Sequence, residues 1–179
     1  MPTQLKLAPA LVVSEWFNSP ALALEDLRGR VVVLEVFQML CPGCVSHSLP
    51  QALEIEKTFT RDQVAVIGLH SVFEHHAAMT PTSLAAFLHE YRIGFPVAVD
   101  RALEGSSIPA TMQAYRMEGT PTTILIDRAG RLRMQRFGRL RDLEIGAQIA
   151  ALLNEPLQSG AVASTPAAGC DEHGCPLPG

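Results

Sequence analysis

The sequence lacks any apolar run approaching the ~18 residues needed to cross a bilayer. Its net charge is only −4, so no polyanionic partner such as a nucleic acid is indicated. The first residues contain one basic residue, Lys6, a short apolar run broken by Pro9, and no small-residue cleavage site, which is unlike a secretory signal. We therefore expect a cytoplasmic protein without a membrane partner. The 47% hydrophobic and 18% charged content exclude a disordered chain.

Cysteine is also scarce, with four residues in the chain. Two of them, Cys41 and Cys44, follow the apolar run 31–37, whose β-branched residues are typical of a strand buried on both faces. Helical spacing continues from Val45 to Phe59, so the two thiols lie where a buried strand meets a helix N-terminus. Unpaired N–H groups and the helix dipole favour negative charge there, which predicts that Cys41 ionises readily and is the nucleophile. Cys44 is then placed to attack a mixed disulfide formed by Cys41.

A Cys-x-x-Cys pair can instead be half of a zinc site, which normally needs a second pair of ligands. The other two cysteines lie far away, in an end segment rich in Ala, Gly, Pro and Ser that we predict to be a flexible tail, so the strand–helix context favours a redox pair. Three alternatives stay open for Cys170, His173 and Cys175 in this tail. They could hold a soft metal ion, form a second disulfide that exchanges with Cys41, or be an unstructured end.

The buried strand with its acidic residue Glu35, the Cys-x-x-Cys and the following helix resemble the thioredoxin superfamily. Leu24–Arg30, just before the strand, is similar to the TlpA/ResA branch, also called redoxin or AhpC/TSA-like. A second match is the Gly-Thr-Pro-Thr sequence at 119–122, where the family carries a cis-proline facing the disulfide. The resemblance covers about residues 10–153. It implies an α/β thioredoxin fold, with a central mixed β-sheet flanked by helices, an extra N-terminal strand and a central insert.

The resemblance also implies roles for residues near the pair. Glu35 lies six residues before the first cysteine, where thioredoxins keep a buried aspartate that moves protons to and from the second cysteine. Burial should raise the pKa of this carboxyl, unless it pairs with an arginine or the strand face is less buried. A cis Thr120–Pro121 bond would leave the Thr120 backbone free to pair with a substrate chain, whereas the alternative is an ordinary trans turn. Pro42 and Gly43, between the cysteines, complete the predicted substrate-binding surface. Because neither carries a charge that would stabilise the thiolate directly, we expect the redox pair to have a reducing potential.

The hydrophobic pattern predicts one domain over 1–155 and a tail over 156–179. A proline usually follows the second cysteine of the family by five residues, but here Pro50 follows by six, and we expect it to kink the helix. The last helix should turn Leu143 and Ile149 toward the core. The predicted strands are 11–17, 31–37, 64–70, 95–99, 122–126 and 132–137, and the predicted helices are 24–27, 42–59, 80–91, 108–115 and 140–153.

Other polar side chains are expected to be solvated. His47 is more typical of a solvent-facing histidine than of a residue that tunes the pair. Four potential metal ligands lie close together in the sequence, at His70, Glu74, His75 and His76. They span the end of a strand and a loop without regular ligand spacing, which favours a solvated loop over a metal site. The arginines between 128 and 141 fall on a hairpin and the next helix start, where they are expected to form a solvated edge that discourages strand addition.

These features favour a thiol–disulfide oxidoreductase without a cofactor. Its partners would be protein or small-molecule disulfides and thiols, together with a dithiol reductant. A rival is a metal-binding or metallochaperone module resembling Sco proteins, although their cysteines are separated by three residues rather than two. A thiol peroxidase is less favoured, because Gln38 stands where peroxiredoxins carry a threonine three residues before the cysteine.

Overall fold

The protein is described here by a computed structural model, which covers residues 5–156. A 3₁₀ turn at Leu24–Leu27 precedes the second strand, and a π-helical turn at Cys44–Ser48 leads into the first long helix. The strands are β1 (Val13–Phe17), β2 (Val31–Phe37), β3 (Val64–His70), β4 (Val97–Asp100), β5 (Thr122–Ile126) and β6 (Leu132–Phe137), and the helices are α1 (Leu49–Thr58), α2 (Pro81–Glu90), α3 (Ala110–Ala114) and α4 (Asp142–Asn154).

The strands form one mixed sheet in the order β1-β4-β3-β2-β5-β6. Strands β2, β3 and β4 are parallel, so their carboxyl ends share one edge. Strand β5 runs antiparallel to β2, with Thr122 opposite Val36, and this register brings the start of β5 to the same edge. The edge is therefore where the end of β2, the following helix and residues just before β5 meet.

Strand β2 is buried along its whole length, which explains its unbroken apolar sequence. Val33 and Phe37 belong to a core with residues of α1, α2 and α4, while Leu34 and Val36 pack on the opposite face with the 3₁₀ turn and Tyr115. Because successive strand side chains alternate between faces, Glu35 points to the same face as Val33 and Phe37. The one carboxylate of the strand thus enters the layer that contains the cysteine-bearing helix.

The predicted elements are all present, with their ends shifted by a few residues. Strand β1 at the sheet edge, antiparallel to β4, is the extra N-terminal strand, and α2 lies in the central insert. One core prediction is wrong, because Leu143 is 90% exposed whereas Ile145 and Ile149 are buried. The helix begins at Asp142, and its core stripe runs at spacings of four and three residues from Ile145, which leaves Leu143 on the outer side.

The helix after the cysteines also differs from expectation in detail. It runs from Pro42 to Thr58, but its irregularity lies before Pro50, as the π turn at Cys44–Ser48. Proline lacks an N–H and its ring crowds the carbonyl one turn back, so a locally widened turn accommodates it. Pro50 itself is the second residue of α1.

Within residues 5–156, no helix is long and apolar enough to span a membrane. The same residues contain no group of His, Cys, Asp and Glu arranged to hold a metal ion. Glu74, His75 and His76 are exposed, as expected of a solvated loop, whereas His70 at the end of β3 is buried, contrary to that expectation. The tail residues Cys170, His173 and Cys175 lie outside the described part of the chain.

Candidate active site

Cys41 and Cys44 form a disulfide at the carboxyl edge of the sheet, with their Cα atoms 5.2 Å apart. Cys41 is half-buried, whereas Cys44 is fully buried beneath it. The segment that joins them to β2 is a tight turn, in which the Cys41 N–H donates to the Gln38 carbonyl oxygen at 3.2 Å. An attacking group from solvent can therefore reach Cys41 and not Cys44, which assigns the outer position to the first cysteine.

The helix N-terminus acts directly on the outer sulfur. The backbone N–H of Cys44 donates to Cys41 Sγ at 3.2 Å, while the N–H of Val45 donates to the Cys41 carbonyl oxygen at 3.1 Å. These are amide groups of the first helical turn, where the dipole favours negative charge. Once the disulfide is reduced, the same arrangement favours a thiolate at Cys41.

A proline loop closes the site from the start of β5. The Thr120–Pro121 peptide bond is cis, and the Pro121 carbonyl oxygen accepts a hydrogen bond from the Gly138 N–H at 2.8 Å. Pro121 also packs against Gly43, since a Cβ atom added to Gly43 would lie 3.4 Å from Pro121 Cδ. The dipeptide between the cysteines and the proline loop are thus in van der Waals contact.

Glu35 is 1% exposed and faces the helix layer from the centre of β2. Its Oε2 accepts a hydrogen bond from the Thr123 hydroxyl at 2.8 Å, and Oε1 has no hydrogen-bond partner among the described residues. Burial raises the pKa of Glu35 to about 7, although the nearby hydroxyls of Ser48 and Thr123 act in the opposite direction. The contacts are hydroxyl groups and not an arginine, so the carboxyl is suited to exchange a proton near neutral pH.

Gln38 is a buried residue of the site that the sequence did not assign to it. Its Oε1 accepts from the Phe73 N–H at 3.3 Å, which fixes the orientation of the amide, and its Nε2 then donates to Thr120 Oγ1 at 3.4 Å. The side chain joins the proline loop to the loop that follows β3. The sequence feature that could have indicated this role is the position of Gln38, a polar residue directly after the apolar strand β2.

Two large apolar side chains remain exposed, one next to Cys41 in the sequence and one against the proline loop. Leu40 is 57% exposed, directly before Cys41, and Phe137 is 49% exposed. The Phe137 ring covers Gly119, because a Cβ atom added there would lie 2.9 Å from the ring. Leu40 directly precedes the cysteine pair in the sequence, whereas nothing in the sequence indicated Phe137, which ends the edge strand β6.

The two histidines considered near the site differ in environment. His47, in the π turn, is exposed, in line with a solvent-facing residue. His70 is buried, its ring centroid lies 5.3 Å from that of Phe37, and its Nε2 has no partner among residues 5–156. Burial lowers the pKa of His70 to about 4, so it is neutral at physiological pH.

Comparison with known proteins agrees with this geometry. The model of the AhpC/TSA family matches residues 8–135. The chain belongs to the AhpC/TSA family. It is 29% identical over 133 residues to the thiol-disulfide oxidoreductase ResA of Bacillus anthracis, spanning 74% of this chain and 69% of ResA. It is also 28% identical over 129 residues to the protein DipZ of Mycobacterium tuberculosis, of which it spans only 17%.

Solved structures place the family member in the thioredoxin fold. A thioredoxin-like superfamily protein is 56% identical and superposes with a TM-score of 0.83, covering 84% of this chain and 98% of that one. A thiol-disulfide isomerase from Corynebacterium glutamicum is also 56% identical, with a TM-score of 0.81 and coverage of 83% and 98%. The predicted α/β thioredoxin fold and its AhpC/TSA-like branch are confirmed.

Proposed function

We propose that this AhpC/TSA family member is a thiol–disulfide oxidoreductase that uses Cys41 and Cys44 as its redox pair. The observation that carries the proposal is the hydrogen bond from the Cys44 N–H to Cys41 Sγ, at a helix start beside Pro121. Relatives named thiol-disulfide oxidoreductase and thiol-disulfide isomerase support the same chemistry. The substrates are disulfides or thiols of proteins or small molecules.

In the reductive direction, the Cys41 thiolate attacks one sulfur of a substrate disulfide. A mixed disulfide forms, and the other substrate sulfur leaves as a thiolate. Glu35, ionised at this stage, removes the proton from the Cys44 thiol, and the Cys44 thiolate attacks Cys41 Sγ. The second substrate thiolate leaves, two electrons have passed to the substrate, and the protein disulfide is formed. A dithiol reductant then regenerates the pair by the reverse exchange.

Substrate docking involves the proline loop and the dipeptide between the cysteines. The cis bond and the packing of Pro121 on Gly43 support an approach in which Thr120 offers its backbone to an extended chain. Pro42 is exposed and forms the neighbouring surface. The exposed side chains of Leu40 and Phe137 give this surface an apolar character that favours a protein substrate.

The test is a turnover assay with insulin as the disulfide substrate and dithiothreitol as the reductant. We expect Cys41→Ser to abolish catalysed reduction, and Cys44→Ser to accumulate a mixed disulfide at Cys41 that non-reducing gel electrophoresis and mass spectrometry detect. Ser46→Ala, at an exposed position of the same turn, is the matched control. A parallel copper and zinc titration distinguishes the metal-binding alternative: stoichiometric metal binding without turnover would contradict the proposal.

A further inference from the structure

A cleft of about 510 Å³ opens between the cysteine-bearing helix and the start of α4, on the face of the sheet that holds Glu35. Gln51 crosses it, since its Nε2 donates to the Leu140 carbonyl oxygen at 3.0 Å and to Asp142 Oδ1 at 2.7 Å. Ser48 and Thr123 also line the cleft. The Thr123 hydroxyl donates to Glu35 Oε2 at 2.8 Å, while the Ser48 hydroxyl donates to the Cys44 carbonyl oxygen at 3.5 Å and lies near enough to the Glu35 carboxyl to lower its pKa. These two residues therefore lie between the buried acid and the cleft.

The π turn explains how Ser48 reaches this position. The Leu49 N–H donates to the Cys44 carbonyl oxygen, five residues back, so the helix holds one more residue in this turn than an α-helix would. Ser48, the last residue of the turn, is 6% exposed, although the preceding His47 is exposed. The extra residue therefore turns a hydroxyl inward between Glu35 and the cleft.

We propose that Glu35 exchanges its proton with solvent through this cleft, with the hydroxyls of Ser48 and Thr123 as the passage. The inference rests on the proposed function, in which Glu35 takes the Cys44 proton. That proton must leave before the next cycle, and both Glu35 and Cys44 are buried. The protonated carboxyl donates to a hydroxyl oxygen, and the hydroxyl passes its own proton to water in the cleft. The net change is an ionised Glu35 and a hydrated proton.

The charged side chains nearby line the cleft and do not face Glu35 itself. Glu54 comes from α1, Arg139 from the segment before α4, and Asp142 from the first turn of α4, while His47 comes from the π turn. All of them line the cleft, whereas the groups facing Glu35 itself are the uncharged Ser48 and Thr123. Water in the cleft can thus pass a proton onward without a charged side chain entering the core.

The test measures the rate at which Glu35 gains and loses its proton, and not turnover. The protein is labelled with ¹³C at glutamate side-chain carboxyls, and relaxation dispersion at the titration midpoint of Glu35 reports the exchange rate. Glu35→Gln assigns the resonance. Gly146 lines the cleft and an added Cβ would meet no atom within 4 Å, so Gly146→Met places a long apolar side chain in the cleft and Gly146→Ala is its matched control.

We expect Gly146→Met to slow the exchange by about tenfold, less than the roughly 100-fold or more that a positioned acid or base contributes, because both hydroxyls remain in this variant, and Gly146→Ala to leave it unchanged. Ser48→Ala and Thr123→Val should each slow it in the same way. These two variants decide the question if the Met variant does not fold. An exchange rate that is unchanged in Gly146→Met, Ser48→Ala and Thr123→Val would overturn the cleft route. Slower exchange in the two hydroxyl variants together with normal exchange in a folded Gly146→Met protein would overturn it as well.

Failure of the proposed function has a separate signature. If Glu35→Gln turns over insulin with the pH profile of the wild type, then Glu35 does not act on Cys44, whatever its exchange rate. If the pH profile of turnover changes in Glu35→Gln while the proton exchange of Glu35 is normal in the cleft variants, then Glu35 does take the Cys44 proton. In that case only the proposed route through the cleft is wrong. The insulin assay and the carboxyl exchange rate therefore judge the two proposals independently.

Discussion

The buried carboxyl of Glu35 makes a quantitative prediction about stability. Its pKa is raised from 4.5 to about 7 in the folded protein, chiefly by burial. At ~1.4 kcal/mol for each tenfold change in proton affinity, this difference corresponds to about 3 kcal/mol between the two protonation states. Because the folded-state pKa is the higher one, the contribution to stability is complete below pH 4.5 and is lost as the pH rises through about 7. Above that pH the folded protein holds an ionised carboxyl in its core.

Glu35→Gln removes this titration and keeps the side chain polar and similar in size. We expect the free energy of unfolding of the variant, relative to that of wild type, to increase by about 3 kcal/mol between pH 4 and pH 8, so that the variant gains in relative stability, with most of the change between 4.5 and 7. Other titrating groups are common to both proteins and cancel in the difference. The sign is therefore opposite to that of a carboxylate held by an ion pair.

The assay is urea unfolding of the disulfide-bonded proteins at intervals of pH, followed by circular dichroism and analysed by linear extrapolation. Glu15→Gln, which removes an exposed carboxylate from β1, corrects for the loss of one negative charge. A difference between Glu35→Gln and wild type that stays constant from pH 4 to pH 8 would refute the argument. It would mean that water or a charged partner reaches the carboxyl.

Three further predictions concern packing and are read from the same unfolding curves. Ile149→Ala should lose about 2–5 kcal/mol, because it empties a fully buried site, whereas Leu143→Ala on the same helix should change stability by less than about 0.5 kcal/mol. Gly146→Ala should gain about 0.5–1 kcal/mol, since an interior helical glycine is replaced where there is room. Gly68→Ala should lose about 1–3 kcal/mol, because its Cβ would lie 3.2 Å from the Phe37 ring. Equal losses in Ile149→Ala and Leu143→Ala, or the opposite sign at either glycine, would contradict these assignments.

The sequence predicted the strands well where burial is complete. Strands β2 and β3 have the predicted bounds, because both are short apolar segments rich in β-branched residues, which is typical of a buried strand. Leu143 was misplaced because it lies six residues before Ile149, which at 3.6 residues per turn puts it about a third of a turn away from the stripe formed by Ile145 and Ile149. The roles of Ser48 and Thr123 could not be predicted, since the partners of Glu35 depend on a π turn and on strand register.

The redox state of the cysteines should change what Glu35 contacts. In the disulfide form Cys44 has no proton, and Glu35 Oε1 is buried without a partner among residues 5–156. Reduction gives Cys44 an S–H group, and in the proposed mechanism this proton is the one that Glu35 exchanges. The two redox forms then bind a proton at Glu35 with different affinity. The slope of the reduction potential against pH must therefore change near the Glu35 pKa of about 7.

Equilibration of the pair with dithiothreitol between pH 5.5 and 8.5 measures this dependence. We expect the slope of potential against pH to change near pH 7 in the wild type, and that change to be absent in Glu35→Gln. Glu15→Gln is again the control. Slopes that superimpose for wild type and Glu35→Gln would show that Glu35 does not sense the disulfide, and the carboxyl would then be a buried group held by Thr123 alone.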